Sequence, residues 1–465
     1  MSRMMHDLIV IGAGPAGMAA AREAAGKGLS VIVLDEQTRA GGQIYRDVER
    51  AAARRGDILG SDYTDGLPLV RGLEHPSISH IPGATVWQID DGPTVFFSVS
   101  GQARSVEGKR LLIATGALER PMPIPGWTLP GVMTAGAAQI LLKQSGIVPE
   151  RAVVAGSGPL LYLIAAQMVR TGTPPLALVE TQTRSDFLRA LRHLPGALSG
   201  WRYLLKGAKM LRQIQRAGVP RYTGATGLAV EGAGCAEALR FEAGGKQHQI
   251  EADTILLHHG VIPHVQAVRS LDIPHRWDCL QHCFNPETGP GGRTVNDTVF
   301  VAGDGAGIGG AKAAAVAGRI AALHAARDIG AVTDADIASE LASLTRALRK
   351  ELAVRPFLDA AYPPYREALS PGESTIICRC EEVTAGDIRR YAGLGCLGPN
   401  QTKAFGRPGM GPCQGRYCGL TVTALLSEAN GISPDATGYY RIRPPIKPVT
   451  LGEIAALNEQ QEMKE

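Results

Sequence analysis

One pattern occurs twice in the chain and restricts its fold more than any other feature. A short apolar strand runs into a glycine-rich turn, a helix and a second strand that ends in an acid. The first copy extends from Leu8 to Glu36 and the second from Ala152 to Glu180. A partial third copy, Val299-Phe300-Val301-Ala302-Gly303-Asp304, precedes an alanine-rich helical stretch from Ala311 to Ala326. Two more buried-type strands end in tight turns: Leu111 to Ala114, closing at Thr115-Gly116, and Thr254 to Leu257, closing at Gly260 and Pro263. Alternation of this kind predicts an α/β fold, with parallel sheets carrying helices on both faces. Glycine supplies 57 of 465 residues, about 12% against a usual ~7%. No three-residue period accompanies it, so collagen is excluded and close backbone approach to ligands becomes the leading explanation.

Other classes fall away on composition. Lys and Arg exceed Asp and Glu by only 48 − 44 = 4, so no nucleic-acid partner is expected. No run approaches the ~18 apolar residues of a membrane span; the best, Leu160 to Val169, contains Gln167. Met1 leads almost directly into the strand-like Asp7 to Ile11, without the basic, apolar and small order of a signal peptide, and the expected compartment is the cytoplasm. Eight cysteines are too few for a disulfide scaffold in 465 residues, and four of them gather near the C-terminus, which points to metal.

In the first copy, Gly12-x-Gly14-x-x-Gly17 follows a strand and opens a helix. Gly12 permits the tight turn, Gly14 lets backbone approach a pyrophosphate, and Gly17 lets helix and strand pack closely, with helix N-terminal amides facing the phosphates. Asp35, 23 residues after Gly12, can accept both hydroxyl protons of an adenosine ribose. Gly41-Gly42-Gln43, the Ala114-Thr115-Gly116 turn and Gly303-Asp304 complete an ordered set over roughly residues 6 to 330. Together they resemble the two-dinucleotide-binding flavoproteins of the pyridine nucleotide–disulfide reductase family, so the two units read as Rossmann-like domains. The resemblance implies FAD at the first site, held by Gly12, Gly14, Gly17, Asp35, Gly42, Gln43, Thr115, Gly116, Gly303 and Asp304. In that family the aspartate of the Gly-Asp pair bonds the ribityl chain and the following helix, here starting at Gly309-Gly310-Ala311, points at the flavin pyrimidine ring.

Two departures from that family matter. The reductases work through a cysteine pair beside the flavin, whereas this chain reads Gln43-Ile44-Tyr45-Arg46 after Gly42, and Cys235 stands alone before Cys279. A lone thiol cannot form an intramolecular redox disulfide, so disulfide-reductase chemistry is excluded. The second unit, Gly156-Ser157-Gly158-Pro159-Leu160-Leu161, carries Leu161 where the third glycine belongs. That leucine crowds the helix–strand contact. Glu180 would suit NAD over NADP, but use of NAD(P) is not expected, and a structural role or another nucleotide is the preferred reading. Residues 184 to 221 then carry nine basic side chains against Asp186 alone, a solvated face or a surface for an acidic partner or ligand phosphate.

Near the C-terminus, Cys378-x-Cys380, 32 intervening residues and Cys413-x-x-x-x-Cys418 provide four thiolates. Between the pairs the sequence reads as a helix, Ala385 to Ala392, and a connecting stretch, while Gly409, Gly411 and Gly415 crowd the second pair with exposed amides. Four thiolates suit a [2Fe–2S] cluster or structural zinc. Neither pair has the usual zinc spacing, so the cluster is preferred, with unliganded thiols as the remaining reading. The module resembles the bacterioferritin-associated ferredoxin type of [2Fe–2S] domain, although the wider second pair makes the position of Cys418 the less regular one. Cys396 is expected to be packing. Cys279, His282 and Cys283, with His258 and His259, suggest a second metal site only weakly, since adjacent side chains on a strand point to opposite faces.

These elements together resemble the α subunits of the opine oxidase, hydrogen cyanide synthase and D-hydroxyproline dehydrogenase group. The resemblance implies a discontinuous FAD domain (1–120 and 285–335), a second NAD-like dinucleotide domain (121–284), a helical connector (336–372), a [2Fe–2S] domain (373–430) and a tail (431–465). It further implies an amino-acid-oxidase-like flavoprotein β subunit that oxidises the amine or imino acid. This chain would then relay electrons to a respiratory acceptor, which would place it peripherally at the inner membrane. Relatives can carry an FMN between subunits and a small third iron–sulfur subunit; nothing in the sequence shows either. No residue stands out as a catalytic base. Two other classes stay open: an NAD(P)H-dependent flavin/iron–sulfur reductase and a non-catalytic nucleotide-binding scaffold.

Overall fold

The structure, a computed structural model, describes residues 5–462. Both repeats form as the pattern predicts. Strand His6–Ile11, helix Pro15–Gly26 and strand Val31–Asp35 make the first, and strand Ala152–Gly156, helix Pro159–Arg170 and strand Ala177–Glu180 the second. Their strands are short, apolar and buried on both faces, as central strands of parallel sheets must be.

The first sheet has seven strands. Ile78–Pro82, Val31–Asp35, His6–Ile11 and Gln102–Ile113 run parallel in that order, and Val299–Val301 closes the far side in register with Leu111–Ile113. The sheet is mixed, not purely parallel as expected. The twelve-residue strand Gln102–Ile113 also pairs antiparallel with Thr94–Val99, which pairs with Thr85–Asp90. Its N-terminal half thus belongs to an antiparallel meander and its C-terminal half to the parallel sheet. Helix Ala311–Asp328 follows Val299–Val301 and packs along helix Pro15–Gly26, alanine against alanine.

The second domain's sheet has five parallel strands, in the order Arg221–Thr223, Ala177–Glu180, Ala152–Gly156, Thr254–His258 and Val132–Thr134. Leu161, in the third-glycine position, is fully buried in a regular helix and joins an apolar core with Ile164, Met168 and Leu256. A three-stranded antiparallel sheet, Thr226–Glu231, Ala238–Ala243 and Lys246–Glu251, is appended.

Helices Asp334–Leu352, Arg355–Ala361 and Arg366–Leu369 form the connector. In the cysteine module helix Ala385–Gly393 appears as read. A second helix, Pro399–Gly406, occupies part of what reads as a connecting stretch. Its start among glycines hides it, although proline in the first turn is compatible with a helix. Helix Gly419–Asn430 follows the last cysteine pair. The tail returns: Tyr440 is buried against Gly409 and Gly415, and the Ile446 amide donates to the Trp87 carbonyl at 2.7 Å.

Candidate functional site

The dinucleotide motifs, distant in sequence, meet at the C-terminal edge of the first sheet. Asp35 is buried at the end of its strand, and its two oxygens accept the backbone amides of Ala13 and Gln37, the latter at 2.7 Å. Burial raises its pKa, and the amides of Ala13 and Gln37 oppose the rise. Each carboxylate oxygen still has a lone pair for a hydroxyl. The 41–46 loop folds back over the first turn, so that a Cβ on Gly42 would lie 2.8 Å from the Gly14 Cα. Asp304 braces the start of the next helix: its Oδ1 accepts the amides of Gly309 and Gly310 at 2.9 and 2.8 Å. Oδ2 has no protein donor among the described residues. Gln43 reaches across to the Ala117 carbonyl at 3.0 Å, next to Thr115 and Gly116. All ten candidate residues therefore stand around one edge.

The edge has the features of a phosphate cradle. Helices Pro15–Gly26 and Ala311–Asp328 both start at a glycine with no side-chain cap, leaving first-turn amides to a ligand. A Cβ on Gly14 would meet only the Gly42 Cα at 3.9 Å and point into open space. By contrast, one on Gly17 would overlap the Gly12 carbonyl, which fits the packing role read for that glycine. The described residues fit a dinucleotide here.

Sequence reasoning missed three residues that tie this edge to the cysteine module. The Thr115 hydroxyl donates to the His264 carbonyl at 3.1 Å, and the His264 amide to the Gly116 carbonyl at 2.9 Å. Arg416, between the second pair of cysteines, donates from Nε to His264 Nε2 at 3.3 Å and from Nη1 to the Cys413 carbonyl at 3.1 Å. Gln266 donates to the Gln414 carbonyl at 3.1 Å. Burial, then Arg416, takes the His264 pKa down to about 3, so the ring is neutral. With Nε2 accepting, the proton belongs on Nδ1, which is buried without a partner among the described residues. A histidine after a strand is no signal in itself; only the fold places it between the two sites. Lys143 is another omission. Buried with no carboxylate partner among the described residues, it donates to the Gln43 carbonyl at 3.0 Å and to Gln139 at 2.9 Å, and burial takes its pKa down to about 7.

The four module cysteines form two close pairs. Cys378 pairs with Cys418 and Cys380 with Cys413. Contact with Cys418, helped by amides of Gly409, Glu381 and Cys380, holds the Cys378 thiol down to about 6 against its burial. The same contact, then burial, pushes Cys418 well up. Among the described residues no three Cys, His, Asp or Glu side chains gather closely enough to hold one ion. Four thiolates gathered in two close pairs fit a [2Fe–2S] cluster or a single zinc. Cys396 is buried in the module's apolar core.

The weaker metal reading finds no such grouping. His258 is paired with Glu119 at 2.6 Å, while His259 contacts the Pro121 carbonyl at 2.7 Å and accepts the Tyr365 amide at 3.2 Å. In the second dinucleotide unit the acid is already engaged. Glu180 is fully buried and accepts from Arg221 at 2.8 and 3.0 Å, while Tyr362 from the connector packs edge-on against Tyr162 beside it. Ser157 Oγ, buried in that unit's turn, has no partner among the described residues.

Two dinucleotide-type units, the first with an open phosphate cradle, define a flavin-dependent oxidoreductase. The chain belongs to the pyridine nucleotide-disulphide oxidoreductase family, whose model matches residues 6–330. A second model, the sarcosine oxidase A3 domain, matches residues 373–458. The chain is 44% identical to an opine oxidase subunit of Rhizobium meliloti, over 98% of this chain and 88% of the relative. It is 32% identical to hydrogen cyanide synthase subunit HcnB of Pseudomonas aeruginosa, over 97% and 99%. Among solved structures, L-proline dehydrogenase from P. horikoshii aligns with a TM-score of 0.73 at 19% identity, covering 97% of this chain and 80% of that one. It shares the fold. No helix among the described residues is long and apolar enough to cross a membrane.

Proposed function

We propose that the chain is the electron-accepting subunit of a heteromeric amine or imino-acid dehydrogenase. The reading takes its substrate class from the relatives named as opine oxidase subunits. An amino-acid-oxidase-like partner oxidises an opine, D-hydroxyproline or glycine, and this chain passes the electrons to a respiratory acceptor. FAD and a [2Fe–2S] cluster, when bound, supply two-electron and one-electron redox chemistry. The first would lie in the FAD domain, 1–120 and 285–335, against Gly14, Gly42, Thr115, Gly116 and Asp304, with Asp35 on the adenosine ribose. The second would be held by Cys378, Cys380, Cys413 and Cys418 in the 373–430 domain.

The observation that carries this reading is the Thr115–His264–Arg416–Cys413 contact chain. It fixes the candidate flavin edge against the cysteine loop through two intervening residues. His264 and Arg416 set the spacing between the two sites. The bond between Glu180 and Arg221 opposes a nicotinamide nucleotide as electron source, since the acid that would take its ribose is engaged.

The test is anaerobic spectroscopy of the flavin band. Opine added to the chain copurified with an oxidase-like partner should bleach it, while NADH should not, and the isolated chain should respond to neither. Opine bleaching of a preparation free of any second polypeptide would overturn the subunit reading. Rapid bleaching by NADH would make the chain an NADH-dependent reductase.

A further inference from the structure

The basic segment after the second dinucleotide unit folds into helices Arg184–Ala190, Leu194–Leu198 and Trp201–Arg216, joined by short turns. Large apolar side chains stand in solvent along it: Leu188 at 68% exposure, Leu191 at 51%, Leu198 at 58%, Trp201 at 54% and Leu205 at 58%. The last helix presents Met210 and Ile214 to the core. At about 100° per residue, the opposite side is the stripe Trp201, Leu205, Ala208, Arg212 and Arg216, flanked by Lys209. Its N-terminal half is apolar and its C-terminal half cationic.

The charge on this surface is mainly positive, with Asp62 paired to Lys206 and Glu351 accepting from the Tyr203 hydroxyl at its margin. Among the described residues Arg184, Arg202, Lys209, Arg212 and Arg216 have no carboxylate partner, and the segment's own acid, Asp186, is buried and bonded to Arg189. Exposed leucines and a tryptophan surrounded by free cations match a surface that is apolar beneath and negative above, which describes an anionic bilayer.

We infer that residues 187–216 form a membrane-docking surface. Trp201, Leu205, Leu198, Leu191 and Leu188 enter the headgroup–acyl boundary of an anionic leaflet, and Arg212, Arg216 and Lys209 meet lipid phosphates. The inference does not depend on the amine oxidised or on the cofactors held.

The test is cosedimentation of the full chain with vesicles of phosphatidylcholine, with and without phosphatidylglycerol. The chain should bind only the anionic vesicles, and less as salt rises. Arg212→Glu with Arg216→Glu should weaken binding by at least ~25-fold, about fivefold for each cation lost. Trp201→Ser with Leu205→Ser should also release the chain, at unchanged flavin content, since both side chains face solvent. In the wild type, brominated acyl chains should quench part of the tryptophan emission, and Trp201→Phe should remove that quenching. Failure to bind anionic vesicles, or binding that survives both double substitutions, would overturn the inference. So would a dimer in solution that Trp201→Ser with Leu205→Ser dissolves, because a second copy would then cover the face.

Discussion

Replacing Gly14 by valine should separate cofactor binding from folding. Gly14 has φ −79° and ψ −176°, which any L residue adopts, so the substitution adds no backbone strain. Its Cβ would meet no protein atom nearer than the Gly42 Cα at 3.9 Å. The cost to the empty chain is therefore that of a poorer helix cap, about 1 kcal/mol or less. The added methyl groups instead occupy the space that the proposed pyrophosphate needs against the Pro15–Gly26 helix. Overpacking of this kind costs about 1–3 kcal/mol and sometimes more, or roughly 5- to 150-fold in FAD affinity. Of the stability that bound ligand adds, about 2.7 kcal/mol at a hundredfold excess over Kd, about 1–2.4 kcal/mol should be lost with it. Gly17→Ala is the contrast: its Cβ would overlap the Gly12 carbonyl, so it should destabilise the domain itself. The assay is flavin absorbance per protein, read beside urea unfolding of protein stripped of flavin. Gly14→Val that folds and keeps FAD as tightly as the wild type would refute the placement. So would a Gly14→Val chain that fails to fold while Gly17→Ala is unperturbed.

Serine at any of Cys378, Cys380, Cys413 or Cys418 should strip the iron and acid-labile sulfide, whereas Cys396→Ser and Cys235→Ser should keep both; stoichiometric zinc without iron would make the module structural. Arg221→Met leaves the fully buried Glu180 without its cation. It should lower stability by about 3 kcal/mol, the low end for a broken buried pair, because the arginine is partly in solvent; the shift in urea midpoint measures it. Burial takes Lys143 down to about 7, so between that pH and the ordinary lysine pKa the unfolded chain binds the extra proton. Stability should therefore rise with pH over that window. Lys143→Met should remove this part of the slope, and parallel stability–pH curves for the two proteins would contradict it.

Much of the architecture is readable because parallel α/β units advertise themselves locally. Val31 to Leu34 is apolar throughout because that strand is covered on both faces, and the turn before Pro15 needs glycine for close approach. The meander from Thr85 to Val99 and the sheet from Thr226 to Glu251 are not legible in this way, since short antiparallel strands lack glycine fingerprints and alternate only weakly. The ten candidate residues at the first edge are accessible through family-like spacing. His264 and Arg416 are not: their roles depend on two domains meeting, and no periodicity within either reports that. The engagement of Glu180 is equally hidden, because Arg221 is 41 residues away and reads as one more basic side chain in a basic run.

The late arrival of Val299–Val301 in the first sheet has a consequence for biosynthesis. Its neighbour Gln102–Ile113 is complete when 113 residues have been made, yet the pairing at Leu111–Ile113 waits for residue 301. At roughly 5–20 residues per second, the ribosome leaves that strand edge open for about 10–40 s. Throughout that interval Leu111, Leu112 and Ile113 are an unpaired apolar template of the kind that invites wrong pairing. The 121–284 insert can fold in the meantime, and its compaction shortens the loop that must close. Nascent chains arrested before residue 299 should bind chaperones through this edge, and those arrested well beyond residue 328 should release them.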